Sequence, residues 1–242
     1  MTPRFFAFGC SFTAYAWPSW ADLVGTHFPE EYYNYGRSGA GNSYIFNRFI
    51  QAHQVHKFTK DDLVIVQWST ITREDRYLKG SWVTKGSVQN FYTDEFIRKY
   101  FDETGYLIRD IALFAAVNTI LDQIGCEYYF TSLESFNTNE NIKEVYSDVL
   151  SIMKPSYFDI LGRGYNPRTV GVDNVVIDDY HPIPGEHLHY INKVIPQWAP
   201  ADVTLADRLD KLTANGWVNH NKCWDFYDWP IDRGFENIEK DL

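Results

Sequence analysis

Short apolar runs alternate with segments of helical periodicity along most of the chain. The apolar runs have the length of buried strands and end near turn residues, and they cover 5–8, 32–35, 63–66 and 127–131. Apolar positions at helical spacing mark helices at about 17–28, 43–57, 109–124 and 184–195. Strands that alternate with helices about every 30 residues predict βαβ units and a parallel sheet covered on both faces. We therefore expect an α/β fold.

Two regions depart from this rhythm. Residues 73–105 mix aromatic and charged side chains with little periodicity, so we expect an inserted excursion over the strand ends, where ligand-binding loops collect. Residues 201–242 are rich in Asp, Trp and Tyr. We expect residues 1–200 to form one domain and 201–242 to be an extension wrapped on it through its aromatic residues. A docking arm for a partner or a second subunit is the alternative.

Composition removes several classes of function. With 32 acidic and 22 basic side chains, the net charge is −10, which disfavours nucleic acid and anionic membrane surfaces as partners. The three cysteines, Cys10, Cys126 and Cys223, form no Cys-x-x-Cys pair, so neither a zinc ribbon nor a disulfide framework is indicated. The N-terminus lacks the apolar core of a signal peptide, and no apolar run approaches the ~20 residues of a membrane span. We expect a soluble protein without a signal peptide, located in the cytoplasm or associated with a virion.

Three segments carry residues suited to acyl transfer. Ser11 lies in Phe8-Gly9-Cys10-Ser11-Phe12-Thr13, directly after the first strand, where an open α/β sheet exposes reactive groups. The loop 36–42 follows the second strand and is rich in glycine, so it offers backbone N–H groups with little steric cover. Near the end of the chain, Asp178 precedes His181 by three residues. That spacing can place a carboxylate beside the imidazole and leave its other nitrogen to face a nucleophile.

The three segments, in this order, resemble the SGNH/GDSL hydrolase superfamily. Residues 9–13 look like its first block, which holds the nucleophilic serine, Gly39 looks like the glycine of its second block, and 178–185 looks like its last block. More narrowly, Gly-Cys-Ser-Phe-Thr with Trp-Pro shortly after it is similar to SGNH-like proteins of tailed bacteriophages and marine bacteria. The resemblance covers about residues 4–196. It implies a three-layer α/β/α sandwich with a flavodoxin-like parallel sheet of about five strands.

The resemblance also implies ester hydrolysis through an acyl-enzyme, without a cofactor. His181 would take the proton of Ser11 as general base, and Asp178 would orient His181. The backbone N–H groups of Ser11 and Gly39 would face the oxyanion. The family's third block normally supplies a Gly-x-Asn whose side chain is a further oxyanion donor. The matching segment, Gln67-Trp68-Ser69-Thr70-Ile71-Thr72-Arg73, has neither Gly nor Asn. Asn42 is the substitute we expect, and Ser69, Thr70 and Arg73 are weaker candidates.

Several alternatives stay open at this stage. Asp179 could be the orienting acid if the local turn differs, and Cys10 is a less suitable nucleophile because a cysteine beside a turn serine is usually a small buried residue. His187 and His189 invite a metal site, but residues two apart on a helix point to different sides, so we expect no metal there.

Two functions follow from these expectations. The first is an esterase for small acyl esters, such as O-acetyl groups on carbohydrate, since 17 Tyr, 17 Phe and 8 Trp suit sugar stacking. The second is a catalytically weak SGNH-like binding or structural module, for example a virion component, with a protein partner or a second copy bound through the C-terminal tail.

Overall fold

The computed structural model describes residues 2–136, 140–162, 164, 168–172, 175–200 and 217–218, with the backbone alone for 168–172, 175–178 and 217–218. In chain order the elements are β1 (Phe5–Gly9), α1 (Trp20–Gly25), β2 (Tyr32–Gly36), α2 (Asn42–His56), β3 (Leu63–Trp68), β4 (Arg73–Leu78), β5 (Ser81–Ser87), α3 (Asp94–Tyr100), α4 (Glu103–Ile124), β6 (Glu127–Ser132), α5 (Glu140–Val145), α6 (Ser147–Ser151), α7 (Tyr157–Leu161), β7 (Arg168–Val172), β8 (Val175–Asp179), α8 (Pro184–Val194) and β9 (Trp217–Val218).

The centre of the fold is a parallel sheet in the order β2-β1-β3-β6. Every residue of β1 and β3 is buried, as strands covered by helices on both faces must be. The α/β fold class is confirmed, and so are the four predicted strands. The parallel sheet has four strands among the described residues, whereas we expected about five.

The predicted helices are present with small changes at their ends. Ser19 caps α1 by accepting a hydrogen bond from the Ala21 backbone N–H, with Asp22 completing a capping box. The helix predicted from residue 109 begins earlier, at Glu103, because the side chain of Asp102 caps it. Gly125, in the left-handed conformation, caps the C-terminus of the same helix, which ends at Ile124 as predicted.

By length and composition, helix α4 could cross a membrane, with a mean hydropathy of 1.3 over its most apolar window. Its apolar residues Ile111, Phe114, Val117 and Leu121 are fully buried in the core of the domain. The buried Asp110 on the same helix accepts a hydrogen bond from the Asn42 side chain of α2. A membrane role is not needed to explain its apolar character, because a helix packed on the sheet requires the same residues.

The segment 73–105 contains an antiparallel hairpin, β4–β5, followed by α3 and the start of α4. Sequence periodicity did not predict this hairpin, because the buried half of β4 is charged, its outer half is exposed, and most of β5 is only partly buried. The hairpin packs on the loop after β2. Gly86 N–H donates to the Gly39 carbonyl, and the hydroxyl of Thr84 donates to the Ser38 carbonyl.

A second hairpin lies near the end of the domain. Strands β7 and β8 pair antiparallel, and β8 ends at Asp179, two residues before His181. The predicted extension at 201–242 lies outside the described residues except for Trp217–Val218, which pairs in parallel with β7.

Candidate active site

Three loops meet at the carboxyl edge of the parallel sheet. Ser11 follows β1, Gly39 follows β2 and Thr70 follows β3, and the order β2-β1-β3 makes these strands neighbours. All three residues line one open cavity of about 580 Å³, together with His181. The carboxyl edge of a parallel sheet is where α/β folds place their ligands. Ser11 of the first sequence segment, Gly39 of the second and His181 of the last therefore lie at one site.

Ser11 and His181 are in direct contact. The Oγ of Ser11 lies 2.8 Å from Nε2 of His181, although 170 residues separate them in sequence. Both side chains are largely buried, at 4% and 8% exposure. This distance is within the range for proton transfer from a nucleophile to a general base.

The acid at His181 is Asp179, which corrects the choice of Asp178. Asp179 Oδ1 lies 2.7 Å from His181 Nδ1 and accepts a second hydrogen bond from the His181 backbone N–H at 2.7 Å. A contact between Asp178 and His181 would require a turn that brings residues i and i+3 together. The structure instead has a strand that ends at Asp179, followed by a tight turn in which the aspartate caps the backbone two residues on. The side chain of Asp178 lies outside the described part of the structure.

The surroundings of Asp179 keep it ionised. Burial raises its pKa, but hydrogen bonds from His181 and from the Tyr15 hydroxyl outweigh burial and lower the pKa to about 2. An ionised carboxylate only accepts hydrogen bonds, so His181 Nδ1 must carry the proton that it shares with Asp179. In neutral imidazole, Nε2 is then free to accept the hydroxyl proton of Ser11.

Tyr15 is the site residue that the sequence did not predict. Its hydroxyl donates to Asp179 Oδ2 at 2.5 Å, and its ring stacks on the His181 imidazole with 3.7 Å between centroids and 19° between planes. Burial and this hydrogen bond both raise the pKa of the Tyr15 phenol. Nothing in its sequence neighbourhood distinguishes Tyr15 from the other tyrosines, because its partners lie about two-thirds of the chain away.

Gly39 has a conformation that few other residues could adopt. Its φ is +72°, and a Cβ at this position would lie 2.6 Å from the Thr84 carbonyl oxygen on the hairpin. Within the described ranges, the backbone N–H groups of Gly39 and Ser11 donate no hydrogen bond. Two backbone donors on the wall of the cavity that holds the serine are what an oxyanion hole requires.

Asn42 does not fill the oxyanion role that we expected of it. Its Nδ2 donates to the Ser69 carbonyl at 3.1 Å and to Asp110 Oδ2 at 2.6 Å, so both amide hydrogens are used. Its Oδ1 accepts from the Ser69 backbone N–H at 2.7 Å. Asn42 therefore ties the loop after β2 to the loop after β3.

Of the three weaker candidates in the third segment, Ser69, Thr70 and Arg73, Thr70 is the best placed for an oxyanion contact. It is buried and lines the cavity, with its Oγ1 3.3 Å from the Oγ1 of Thr72, which also lines it. Ser69 does not line this cavity. Arg73 does, but its guanidinium donates to the Ala40 carbonyl at 2.9 Å and so anchors the neighbouring loop.

The other candidate residues lie elsewhere or have structural contacts. Cys10 is fully buried in the core beside the sheet. Nδ1 of the buried His187 lies 2.6 Å from the Tyr157 hydroxyl. No group of three His, Cys, Asp or Glu that could hold a metal ion occurs in the part of the chain that the structure describes.

The hairpin β4–β5 and the turn after it supply the outer wall of the cavity. This wall consists of small, polar or basic residues, namely Thr84, Lys85, Gly86, Ser87 and Asn90. With Ser38, Thr70 and Thr72 on the inner side, most of the residues that line the cavity carry a hydroxyl or amide group.

Comparisons with known proteins show similarity at the level of solved structures. No protein-family model and no curated protein matches the chain. A protein described as lipolytic and of the G-D-S-L family, from Desulfitobacterium hafniense DCB-2, is 16% identical, with a TM-score of 0.39, over 73% of this chain and 85% of its own. A protein described as an acylhydrolase, from Bacteroides fragilis NCTC 9343, is 15% identical, with a TM-score of 0.43, over 86% of this chain and 88% of its own. Likeness of this size does not assign a function, so the function must be argued from the site itself.

Proposed function

We propose that this protein is a serine ester hydrolase of the SGNH type. The observation that carries the proposal is the unbroken chain of contacts from Ser11 Oγ to His181 Nε2, and from His181 Nδ1 to Asp179 Oδ1, at 2.8 and 2.7 Å. The serine at one end of this chain lines the cavity, whereas the aspartate at the other end does not. A nucleophile, a base and an acid in this order form the arrangement that activates a serine for acyl transfer.

In the proposed reaction, His181 accepts the Ser11 proton as the serine oxygen attacks the ester carbonyl. Asp179 stabilises the imidazolium that forms, and the imidazolium then protonates the leaving alcohol. Water hydrolyses the resulting acyl-serine by the same proton transfers in the second half of the cycle. The backbone N–H groups of Ser11 and Gly39 stabilise the oxyanion.

We assign the third oxyanion contact to the Thr70 hydroxyl. Its loop follows the strand next to that of Ser11, as the family's third block does, and its side chain lines the cavity. The Thr70 hydroxyl can donate one hydrogen bond to an oxyanion if it turns away from Thr72. The two Oγ1 atoms are 3.3 Å apart, which is long for a hydrogen bond, so this contact can be exchanged for one to the oxyanion. Thr70→Val should therefore lower kcat about 100- to 1000-fold, whereas Thr70→Ser keeps the donor and most of the rate.

The substrate we propose is a small polar ester, with O-acetyl groups on carbohydrate as the leading class. The cavity supports this choice because most of its lining residues carry hydroxyl or amide groups, which can form hydrogen bonds with sugar hydroxyls. Release of acetate from acetylated xylo-oligosaccharides, measured beside p-nitrophenyl butyrate and octanoate, tests the class. Faster turnover of the octanoyl ester would contradict it.

The experiment that tests the hydrolase itself uses p-nitrophenyl acetate with Ser11→Ala and His181→Ala. Ser151→Ala is the matched control, because Ser151 is an exposed serine on α6 that does not line the cavity. We expect both site variants to lose the rate while circular dichroism shows them folded, and a fluorophosphonate probe to label wild type but not Ser11→Ala. A wild-type rate equal to that of the two variants, with no label on Ser11, would refute the proposal.

A binding or structural module is the second candidate, and one observation favours it. The third segment lacks the family's Gly-x-Asn, and the Asn42 amide is committed to structural contacts. If the full chain forms a stable oligomer by light scattering and shows neither label nor rate, the module, for example in a virus particle, becomes the better proposal.

A further inference from the structure

Tyr15 lies on the loop that follows Ser11, and this loop contacts the segment that carries His181. Tyr15 reaches Asp179 and His181, as described above. Trp17 on the same loop donates its indole N–H to the Pro182 carbonyl at 2.7 Å and packs edge-on against the Tyr15 ring at 4.6 Å. Two aromatic side chains from one loop therefore hold residues 179–182 against it.

From this geometry we infer that Tyr15 is a positioning residue of the active site, a fourth member of the Ser11–His181–Asp179 chain. The inference rests on the proposed function. Tyr15 is not among the residues that line the cavity, and it contacts one of them, His181, from behind. It acts through the two residues behind the serine, and it does so with two separable parts, the hydroxyl and the ring.

The hydroxyl fixes the rotation of the Asp179 carboxylate. Oδ2 is held by the Tyr15 hydroxyl, which leaves Oδ1 to accept from both the backbone N–H and Nδ1 of His181. Without the hydroxyl, the carboxylate can rotate about its Cβ–Cγ bond, and Oδ1 no longer faces Nδ1 in every molecule. The fraction of enzyme with a correctly held imidazole should then fall.

The ring acts on the imidazole itself. A stacked aromatic face at 3.7 Å restricts rotation of the His181 ring and keeps Nε2 directed at Ser11. The same face is attractive to a cation, so it favours the imidazolium that forms when His181 takes the serine proton. Loss of the ring should therefore cost more than loss of the hydroxyl alone.

Tyr15→Phe and Tyr15→Leu separate the two parts. We expect Tyr15→Phe to lower kcat for p-nitrophenyl acetate about 10-fold, and Tyr15→Leu about 100-fold, with KM changed less than about twofold in both. Tyr128→Phe is the matched control, because the Tyr128 hydroxyl donates to Asp122 at 2.7 Å far from the site. It should leave kcat unchanged.

A spectroscopic measurement separates positioning from a general loss of stability. The proton shared by His181 Nδ1 and Asp179 should give a far-downfield ¹H NMR resonance, identified by its absence in His181→Ala. In folded Tyr15→Phe we expect this resonance to move upfield and to exchange faster with water. Wild-type kcat and an unchanged resonance in Tyr15→Phe would overturn the inference, and so would a loss of kcat that only follows the folded fraction. If wild type hydrolyses no ester, the proposed function fails, and the resonance alone then decides whether Tyr15 holds the pair.

Discussion

The assignment of the orienting acid gives the sharpest prediction, because two adjacent aspartates compete for it. The perturbation is Asp179→Asn beside Asp178→Asn, which makes the same chemical change one residue apart. Asp179 accepts three hydrogen bonds, two from His181 and one from Tyr15, and its pKa of about 2 keeps it charged through the neutral pH range. Asparagine at 179 removes that charge at every pH of interest.

The size of the effect has two parts. A hydrogen bond to a charged group contributes about 1.5–3 kcal/mol, and about 1.4 kcal/mol is a tenfold change in rate, so losing the bond to Nδ1 lowers kcat by roughly 10- to 150-fold. The asparagine NH₂ can also turn toward Nδ1 and favour the tautomer with its proton on Nε2, which leaves Ser11 without an acceptor. Where this happens in a Ser-His-Asp centre the loss reaches about 10⁴. We expect about 10³ for Asp179→Asn and less than about threefold for Asp178→Asn.

The assay is steady-state hydrolysis of p-nitrophenyl acetate, with active serine counted by fluorophosphonate labelling and folding followed by circular dichroism. Labelling should slow in Asp179→Asn in the same proportion as kcat, because both reactions need the activated serine. Equal losses in the two variants, or a larger loss in Asp178→Asn, would show that the contact at His181 is not the one that acts in catalysis.

Three further predictions concern the loops around the site. Asn42→Ala should lower the free energy of unfolding in urea by about 3 kcal/mol, because it leaves buried polar partners unpaired. A loss of kcat at unchanged stability would instead restore Asn42 as an oxyanion donor. Gly39→Ala should lower the free energy of unfolding by about 1–3 kcal/mol and should also lower kcat, because the added Cβ would meet the Thr84 carbonyl oxygen. Gly80 is also at positive φ but has open space around it, so Gly80→Ala should keep the wild-type kcat. Burial raises the pKa of Asp75 to about 6, above its ordinary value of 3.8. The stabilisation by protonated Asp75 is therefore complete below about pH 4 and is lost as the pH rises through about 6, because the unfolded protein releases this proton first. This part of the dependence of Tm on pH should vanish in Asp75→Asn.

The parts of the fold that the sequence predicted are those set by local pattern. Strands β1 and β3 and helix α4 are apolar enough to be recognised alone, and Ser11 was found because it directly follows one of these strands. The hairpin β4–β5 was missed, because its contacts are with the loop after β2 and with α2, and no local sequence pattern signals those contacts.

The choice between the two aspartates depended on long-range structure for the same reason. Whether the residue two or three before His181 meets its ring depends on where β8 ends, and β8 is fixed by pairing with β7. Tyr15 is the extreme case, since 164 residues separate it from Asp179. A tyrosine in a loop carries no local signal for a contact of this kind.

Asn42 shows why a missing motif residue need not leave a gap in the site. Its amide pairs with both the N–H and the carbonyl of Ser69, as a backbone segment would, and so fixes the loop after β3 against the loop after β2. Thr70 is the next residue, and its direction toward the cavity follows from that fixed backbone. In the proposed arrangement, Asn42 supplies the positioning and the Thr70 hydroxyl supplies the donor. The departure from Gly-x-Asn is therefore consistent with an oxyanion hole built from different side chains, and Thr70→Val measures whether it is one.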